Sequence, residues 1–178
     1  MANYNAQYFA DLFARIGVPS DKIPYLLAQV AHETGNFNLS ASKQLRDHNN
    51  ASGIVWSNTV NQKKYATKSD SEIPETINNG SEGNHYFYAQ YDSLDNWAKD
   101  YIRILNNHGN ALQATSIEDF LNRLYNNGVK SYFSSTYDSY SAAVNKWYNK
   151  YKSIKPNNIL NAVLVIALLG ALAYIIAR

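Results

Sequence analysis

Glu33 is the residue whose type and position point most directly to chemistry. It ends a segment, residues 20–37, in which apolar residues recur at three- and four-residue spacing, as on the buried face of a helix. Glu33 comes seven residues after Leu26 and three after Val30, so we expect its carboxyl to continue this face. Burial and the negative end of a helix both disfavour a charged carboxyl, which predicts a raised pKa and a general acid. The alternative is an ordinary solvated glutamate at a helix end.

The neighbouring His32 does not complete a metal-binding motif. A zinc-protease helix carries a second histidine four residues after the first, and Asn36 occupies that position here. The chain has no cysteine, which excludes disulfides and thiolate metal sites. A serine nucleophile is not favoured either, because no Gly-x-Ser-x-Gly segment occurs. The sequence therefore predicts no metal site and no cofactor.

Further carboxylates follow in residues 63–90, where an Asn-Asn-Gly turn between two extended segments predicts a β-hairpin. Glycosidic bond cleavage needs one acid that protonates the leaving oxygen and a second group that manages the positive charge or the water. Fifteen tyrosines suit a surface that stacks on sugar rings, although many must be core residues. The residues thus favour a glycosidase-like site.

Four segments resemble the bacterial and phage endo-β-N-acetylglucosaminidases that cut peptidoglycan, a family that includes the flagellar-rod muramidase. Residues 27–35 resemble its A-Q-x-A-x-E-T/S-G segment, and residues 50–54 its N-L-F-G-I turn. Residues 87–101 resemble F-R-x-Y-x-S-x-x-x-S-x-x-D-Y, and Tyr132, Phe133 and Tyr140 resemble a late tyrosine-rich segment. The likeness covers about residues 5–152 in the family's order.

This resemblance implies a lysozyme-like fold and hydrolysis of β-1,4 bonds in the GlcNAc–MurNAc polymer, with Glu33 as the catalytic acid. Residues 75–80 resemble the family's Thr-x-Glu-Tyr-x-Asn-Gly hairpin, which makes Glu75 the expected second carboxylate. Glu72 and Glu82 are alternatives to it, and the substrate's own N-acetyl group could take this role. The family often has a Gly-Tyr pair where Val129 follows Gly128 here, so Tyr132 is the expected substitute.

The same resemblance assigns substrate binding to six further residues: Asn50, Ser52, Gly53, Tyr88, Tyr91 and Tyr140. The expected partner is the peptidoglycan glycan strand. Other interpretations are a chitinase-like enzyme, a lytic transglycosylase, or a wall-binding module without turnover. Nucleic acid is not an expected partner, because the net charge is only +2 and the basic residues are scattered.

The elements that must position these residues are mostly helices. Apolar stripes predict helices at 5–16, 94–105, 117–124 and 137–151, besides the helix that ends at Glu33. For that helix, Asp21 is the expected cap, Pro24 suits the first turn, and Gly35 stops it. We expect a mainly α fold of the α+β lysozyme-like type, with one small β-hairpin lobe, over residues 1–152.

The C-terminal part has a different composition. From 159 to 176 every residue except Asn161 is apolar or glycine, and 18 helical residues span about 27 Å, close to a bilayer core. We expect a transmembrane helix there, after a hinge at 153–158. Four lysines precede it and only Arg178 follows it, which places the domain on the cytoplasmic side. No signal peptide is apparent at the start. These features favour a single-pass protein of the internal virion membrane of a phage, derived from the host membrane.

Overall fold

The computed structural model describes residues 4–73, 86–125, 132–133 and 135–157. The helices in these residues are α1 (Ala6–Arg15), α2 (Ile23–Glu33), α3 (Lys43–His48), α4 (Val60–Lys63), α5 (Leu94–Asn107), α6 (Ile117–Tyr125) and α7 (Tyr137–Tyr151). The strands are β1 (Ala66–Glu72) and β2 (Phe87–Tyr91). The prediction of a mainly helical fold with a small sheet is therefore confirmed. Helices α3 and α4 were not predicted; both are short and lie in a polar region.

Helix α2 ends as predicted but begins differently. Pro24 lies in its first turn, where a missing N–H costs little. The predicted Asp21 cap is wrong, because the N-cap position is Lys22 and no side chain caps the helix. Asp21 instead forms an ion pair with Lys22 at 2.7 Å. At the other end, Gly35 adopts a φ of +59°, the left-handed conformation that stops a helix and leaves Glu33 in its last turn.

The core forms around α2, which packs most extensively against α7 and also against α1. Its residues from Tyr25 to Ala31 are all buried. On α5, Trp97 and Tyr101 are fully buried, and their rings stack at 5.1 Å between centroids. Phe9 of α1 meets Trp97 edge-on at 5.8 Å. Aromatic packing thus fixes α1 and α5 against each other beside α2.

Strands β1 and β2 form an antiparallel pair, with Ala66 opposite Tyr91 and Glu72 opposite Phe87. The register shifts between Lys68 and Glu72, which indicates a bulge. The pair confirms the predicted hairpin strands. The predicted turn and the carboxylates Glu75 and Glu82 lie outside the described residues.

The chain after α7 folds back onto α1. The backbone N–H and the side chain of Asn157 donate to the Asp11 carboxylate at 2.6 and 2.8 Å, and Gln7 donates to the carbonyl of Lys155 at 3.0 Å. Lys155 and Asn157 of the predicted hinge therefore contact the domain. No helix in the described part of the chain is long and apolar enough to cross a bilayer. The predicted transmembrane segment, 159–176, lies outside the described residues.

Candidate active site

A cleft of about 770 Å³ opens beside the C-terminal end of α2. Its walls come from the loop after α3, from β2, from the end of α5, and from the start of α7 with the segment before it. Six predicted site residues line it: Glu33, Ser52, Gly53, Tyr88, Tyr132 and Tyr140. Helical and β elements far apart in sequence therefore bring most of the predicted residues to one surface.

Glu33 is the only carboxylate among the described residues that line this cleft. The sequence predicted a carboxyl within the buried face, whereas the structure exposes Glu33 to the cleft. Protein still surrounds the carboxyl on its other sides, and this loss of hydration raises its pKa to about 7. The Tyr140 hydroxyl donates a hydrogen bond to Glu33 Oε1 at 3.0 Å, which stabilises the charged form and lowers the pKa in part. Glu33 thus has the properties of an acid that is partly protonated at neutral pH.

Tyr140 is held from behind by Gln29, a fully buried residue that the sequence analysis did not predict. Gln29 Nε2 donates to the Tyr140 oxygen at 3.0 Å, and the Tyr101 hydroxyl donates to Gln29 Oε1. Gln29 lies four residues before Glu33 on the apolar stripe of α2, and a glutamine on a core-facing stripe is itself a signal of a buried hydrogen bond. Its partners could not be read from the sequence.

Aromatic rings form the wall beside Glu33. Phe133 stacks on Tyr140 with centroids 3.8 Å apart, and His32 meets Tyr140 edge-on at 5.0 Å. Burial and the charge of Glu33 raise the pKa of Tyr132, which hydrogen-bonds to Ser52. Such a wall presents ring faces and hydroxyl groups, the surface that sugars prefer.

The loop that carries Ser52 and Gly53 is fixed by interior contacts. Trp97 Nε1 donates to Ser52 Oγ at 3.1 Å. Gly53 has a φ of +61°, which favours glycine, and a Cβ there would lie 3.8 Å from the Tyr88 ring. The loop backbone at Gly53 therefore lies beside the Tyr88 ring, and both residues line the cleft.

Two residues predicted to bind substrate, Asn50 and Tyr91, do not line the cleft. Asn50 is fully buried, and its side chain bonds to the backbone of Ile54 and Ala89 at 2.8 to 2.9 Å. Tyr91 is also buried, and its hydroxyl donates to Asp100 at 2.9 Å. Neither side chain lines the cleft, so both support its wall from inside. A polar residue in a motif can bind substrate or hold a loop in place. The sequence around it is the same in both cases, so the sequence alone does not distinguish the two roles.

Arg103 is a cleft residue that the sequence analysis missed. Its guanidinium lies 2.7 Å from Asp100 Oδ1, and Asp100 is fully buried. This ion pair fixes Arg103 at the cleft and, with Tyr91, satisfies the buried carboxylate.

Comparison with known proteins gives one match. No curated protein and no solved structure was found to match the chain. The family model described as mannosyl-glycoprotein endo-beta-N-acetylglucosaminidase matches residues 6–153, which include every element described above. The chain therefore belongs to the Glucosaminidase family and is a glycoside hydrolase, with peptidoglycan hydrolysis as its general function.

Proposed function

We propose that the protein cleaves β-1,4 glycosidic bonds of the GlcNAc–MurNAc strand, with Glu33 as the general acid. One observation carries this proposal: a carboxyl with a pKa of about 7 lies at the cleft, and among the described residues it receives a hydrogen bond on Oε1 only. The other oxygen, Oε2, is then the one that gives its proton to the leaving glycosidic oxygen. As the proton leaves, the Tyr140 hydroxyl stabilises the new carboxylate.

The cleft offers contacts for a sugar chain. The rings of Phe133 and Tyr88 provide apolar faces, and the hydroxyls of Ser52, Tyr88 and Tyr132 provide hydrogen bonds for sugar hydroxyl and acetamido groups. Holding the glycan in one orientation against the acid supplies a large part of such catalysis. For the second catalytic role we propose Glu75, with the substrate N-acetyl group as the alternative.

We also propose that residues 159–176 anchor the enzyme in a membrane. The support is the apolar composition of this segment, and the lysines at 146, 150, 152 and 155 favour a domain on the cytoplasmic side. Peptidoglycan lies on the other side of that membrane. A phage that takes its internal membrane from the host would carry the domain on the outer face of the vesicle, beneath the capsid, where it could act on the wall.

Product analysis tests the proposed reaction. Purified peptidoglycan is digested, the new reducing ends are reduced with borohydride, and the amino sugars are identified. Hydrolysis of the bond between GlcNAc and the following MurNAc gives reduced GlcNAc ends. Hydrolysis of the bond between MurNAc and the following GlcNAc, as by a muramidase, gives reduced MurNAc ends. An anhydro-MurNAc product without a new reducing end would indicate a lytic transglycosylase. Binding to the wall without any of these products would contradict the proposal.

A further inference from the structure

A line of hydrogen bonds runs from the protein core to Glu33. It starts at the Tyr101 hydroxyl on α5, passes through the Gln29 amide on α2 and the Tyr140 hydroxyl on α7, and ends at Glu33 Oε1. Gln29 and Tyr101 are fully buried and Tyr140 nearly so. No water is needed to complete the line, because each group bonds directly to the next.

The direction of this line decides where the proton of Glu33 lies. In the direction described above, Tyr140 accepts from Gln29 and donates to Glu33, which leaves the acid proton on Oε2. In the reverse direction the Gln29 amide is flipped and Tyr140 donates to it. A protonated Glu33 would then donate to the Tyr140 oxygen, and its proton would face the protein interior.

Tyr101 distinguishes the two directions. Its hydroxyl is 0% exposed, and within the described part of the chain its only acceptor is Gln29 Oε1. In the reverse direction this buried O–H would have no acceptor, which is costly. Burial also raises the pKa of Tyr101 and of Tyr140 well above the ordinary value, so both hydroxyls keep their protons.

We propose that Tyr101 is a positioning residue that sets the direction of these hydrogen bonds, so that Glu33 presents its proton to the cleft and not to Tyr140. This role rests on the proposed function of Glu33 as general acid. The other titratable groups that line the cleft near Glu33 are His32, Tyr88, Arg103, His108 and Tyr132. None of them takes part in the line.

The test is the substitution Tyr101→Phe in the full-length protein. This change removes the hydroxyl and keeps an aromatic ring that can stack on Trp97. The pKa of Glu33 is measured by ¹³C NMR titration of glutamate side chains, with Glu33→Gln to assign the signal; the chain has only five glutamates. The free amide can now flip, and Tyr140 then accepts from the protonated acid. We expect the Glu33 pKa to rise by about 0.5 or more. At a pH well below this pKa, turnover should fall by the same factor, about threefold or more, because that part of the protonated acid donates to Tyr140 and not to the substrate.

Tyr25→Phe is the matched control. Tyr25 is a buried tyrosine of α2 that packs against Phe120 and Tyr148, away from the line. This variant should keep the wild-type Glu33 pKa. An unchanged Glu33 pKa in folded Tyr101→Phe would overturn the proposal, even if turnover were lower. A change in packing around residue 101 would by itself explain the lower turnover.

Gln29→Leu gives a second arm if Tyr101→Phe does not fold. Without the amide, Tyr140 is free to accept from Glu33, so the Glu33 pKa should rise, and adding Tyr101→Phe should raise it no further. An unmoved value in Gln29→Leu would also overturn the proposal. The titration needs no substrate, so it separates this inference from the proposed function: absence of peptidoglycan cleavage by the wild type contradicts only the latter.

Discussion

At the Glu33 carboxyl, desolvation raises the pKa and the Tyr140 hydrogen bond lowers it, with a net value of about 7. A general acid works only while protonated, so kcat/KM should fall as the pH rises through about 7. Tyr140→Phe removes the hydrogen bond that lowers the pKa, so this fall should move to higher pH. The measurement is the pH dependence of peptidoglycan cleavage. Tyr148→Phe, on the same helix and outside the cleft, should leave the fall where it is.

The same pKa predicts a dependence of stability on pH. A carboxyl with a pKa raised from 4.5 to about 7 binds more protons in the folded state than in the unfolded state between these values. The free energy of unfolding therefore falls through this window as the pH rises. Glu33→Gln carries no charge and should escape this loss. Urea unfolding of both proteins at pH 4.5 and at pH 8 tests this; an equal change in the two proteins would argue against the raised pKa.

Glu75 is the residue whose role rests on resemblance alone. If it manages the water or the developing charge, Glu75→Gln should lower kcat by about 100-fold or more with little change in sugar binding. Glu72→Gln and Glu82→Gln serve as controls and should have mild effects. Similar small effects at all three positions would favour the substrate N-acetyl group instead.

Among the elements, the loop after α3 depends on Asn50. Its side chain makes two hydrogen bonds to the backbone of Ile54 within this loop and one to the carbonyl of Ala89 on β2. Asn50→Ala removes the acceptor of the buried Ile54 N–H and one donor to the carbonyls of Ile54 and Ala89, and should lower the free energy of unfolding by about 1–3 kcal/mol. Activity should fall as well, since Ser52 and Gly53 lose their position. Chemical denaturation measures the first effect. Asn149→Ala, on the exposed face of α7, should change stability by less than about 0.5 kcal/mol.

Helices with long apolar stripes could be predicted from the sequence because the stripe itself drives their burial. Helix α5 is an example, where Ser93 caps the first turn and Trp97, Tyr101 and Leu105 are all buried. Helix α3 has only six residues, too few to show a repeating stripe. The Asp21 cap was predicted wrongly because an Asp near a helix start can pair with a lysine instead.

The site could be predicted less completely than the helices. Glu33 could be predicted because its signal is local: it continues the apolar stripe at the end of its own helix. The partners of Gln29 lie 72 and 111 residues away, so only the folded chain brings them together. Asn50 and Tyr91 lie in segments that reach the cleft, but their own side chains are buried beneath it. The burial of a single polar residue leaves no repeating pattern in the sequence that could predict it.

For the whole molecule, the proposed membrane anchor makes a separate prediction. The full-length protein should fractionate with purified virion membranes. A chain that ends at Asn157 keeps the contacts of this residue with Asp11 and should be soluble and active. Sedimentation of both forms with and without detergent measures this. Finding the full-length protein soluble and absent from virions would refute the anchor and leave the enzyme assignment intact.

The central claim is that this fold holds Glu33 at the cleft as the acid that cleaves peptidoglycan. The most direct measurement compares wild type, Glu33→Gln and Glu118→Gln on purified peptidoglycan at pH 6, with circular dichroism to confirm folding. Glu118 is exposed on α6, outside the cleft, and its substitution should leave the rate unchanged. Glu33→Gln should lose at least about 100-fold in kcat/KM while it stays folded. A folded Glu33→Gln protein that lyses peptidoglycan at the wild-type rate would contradict the account.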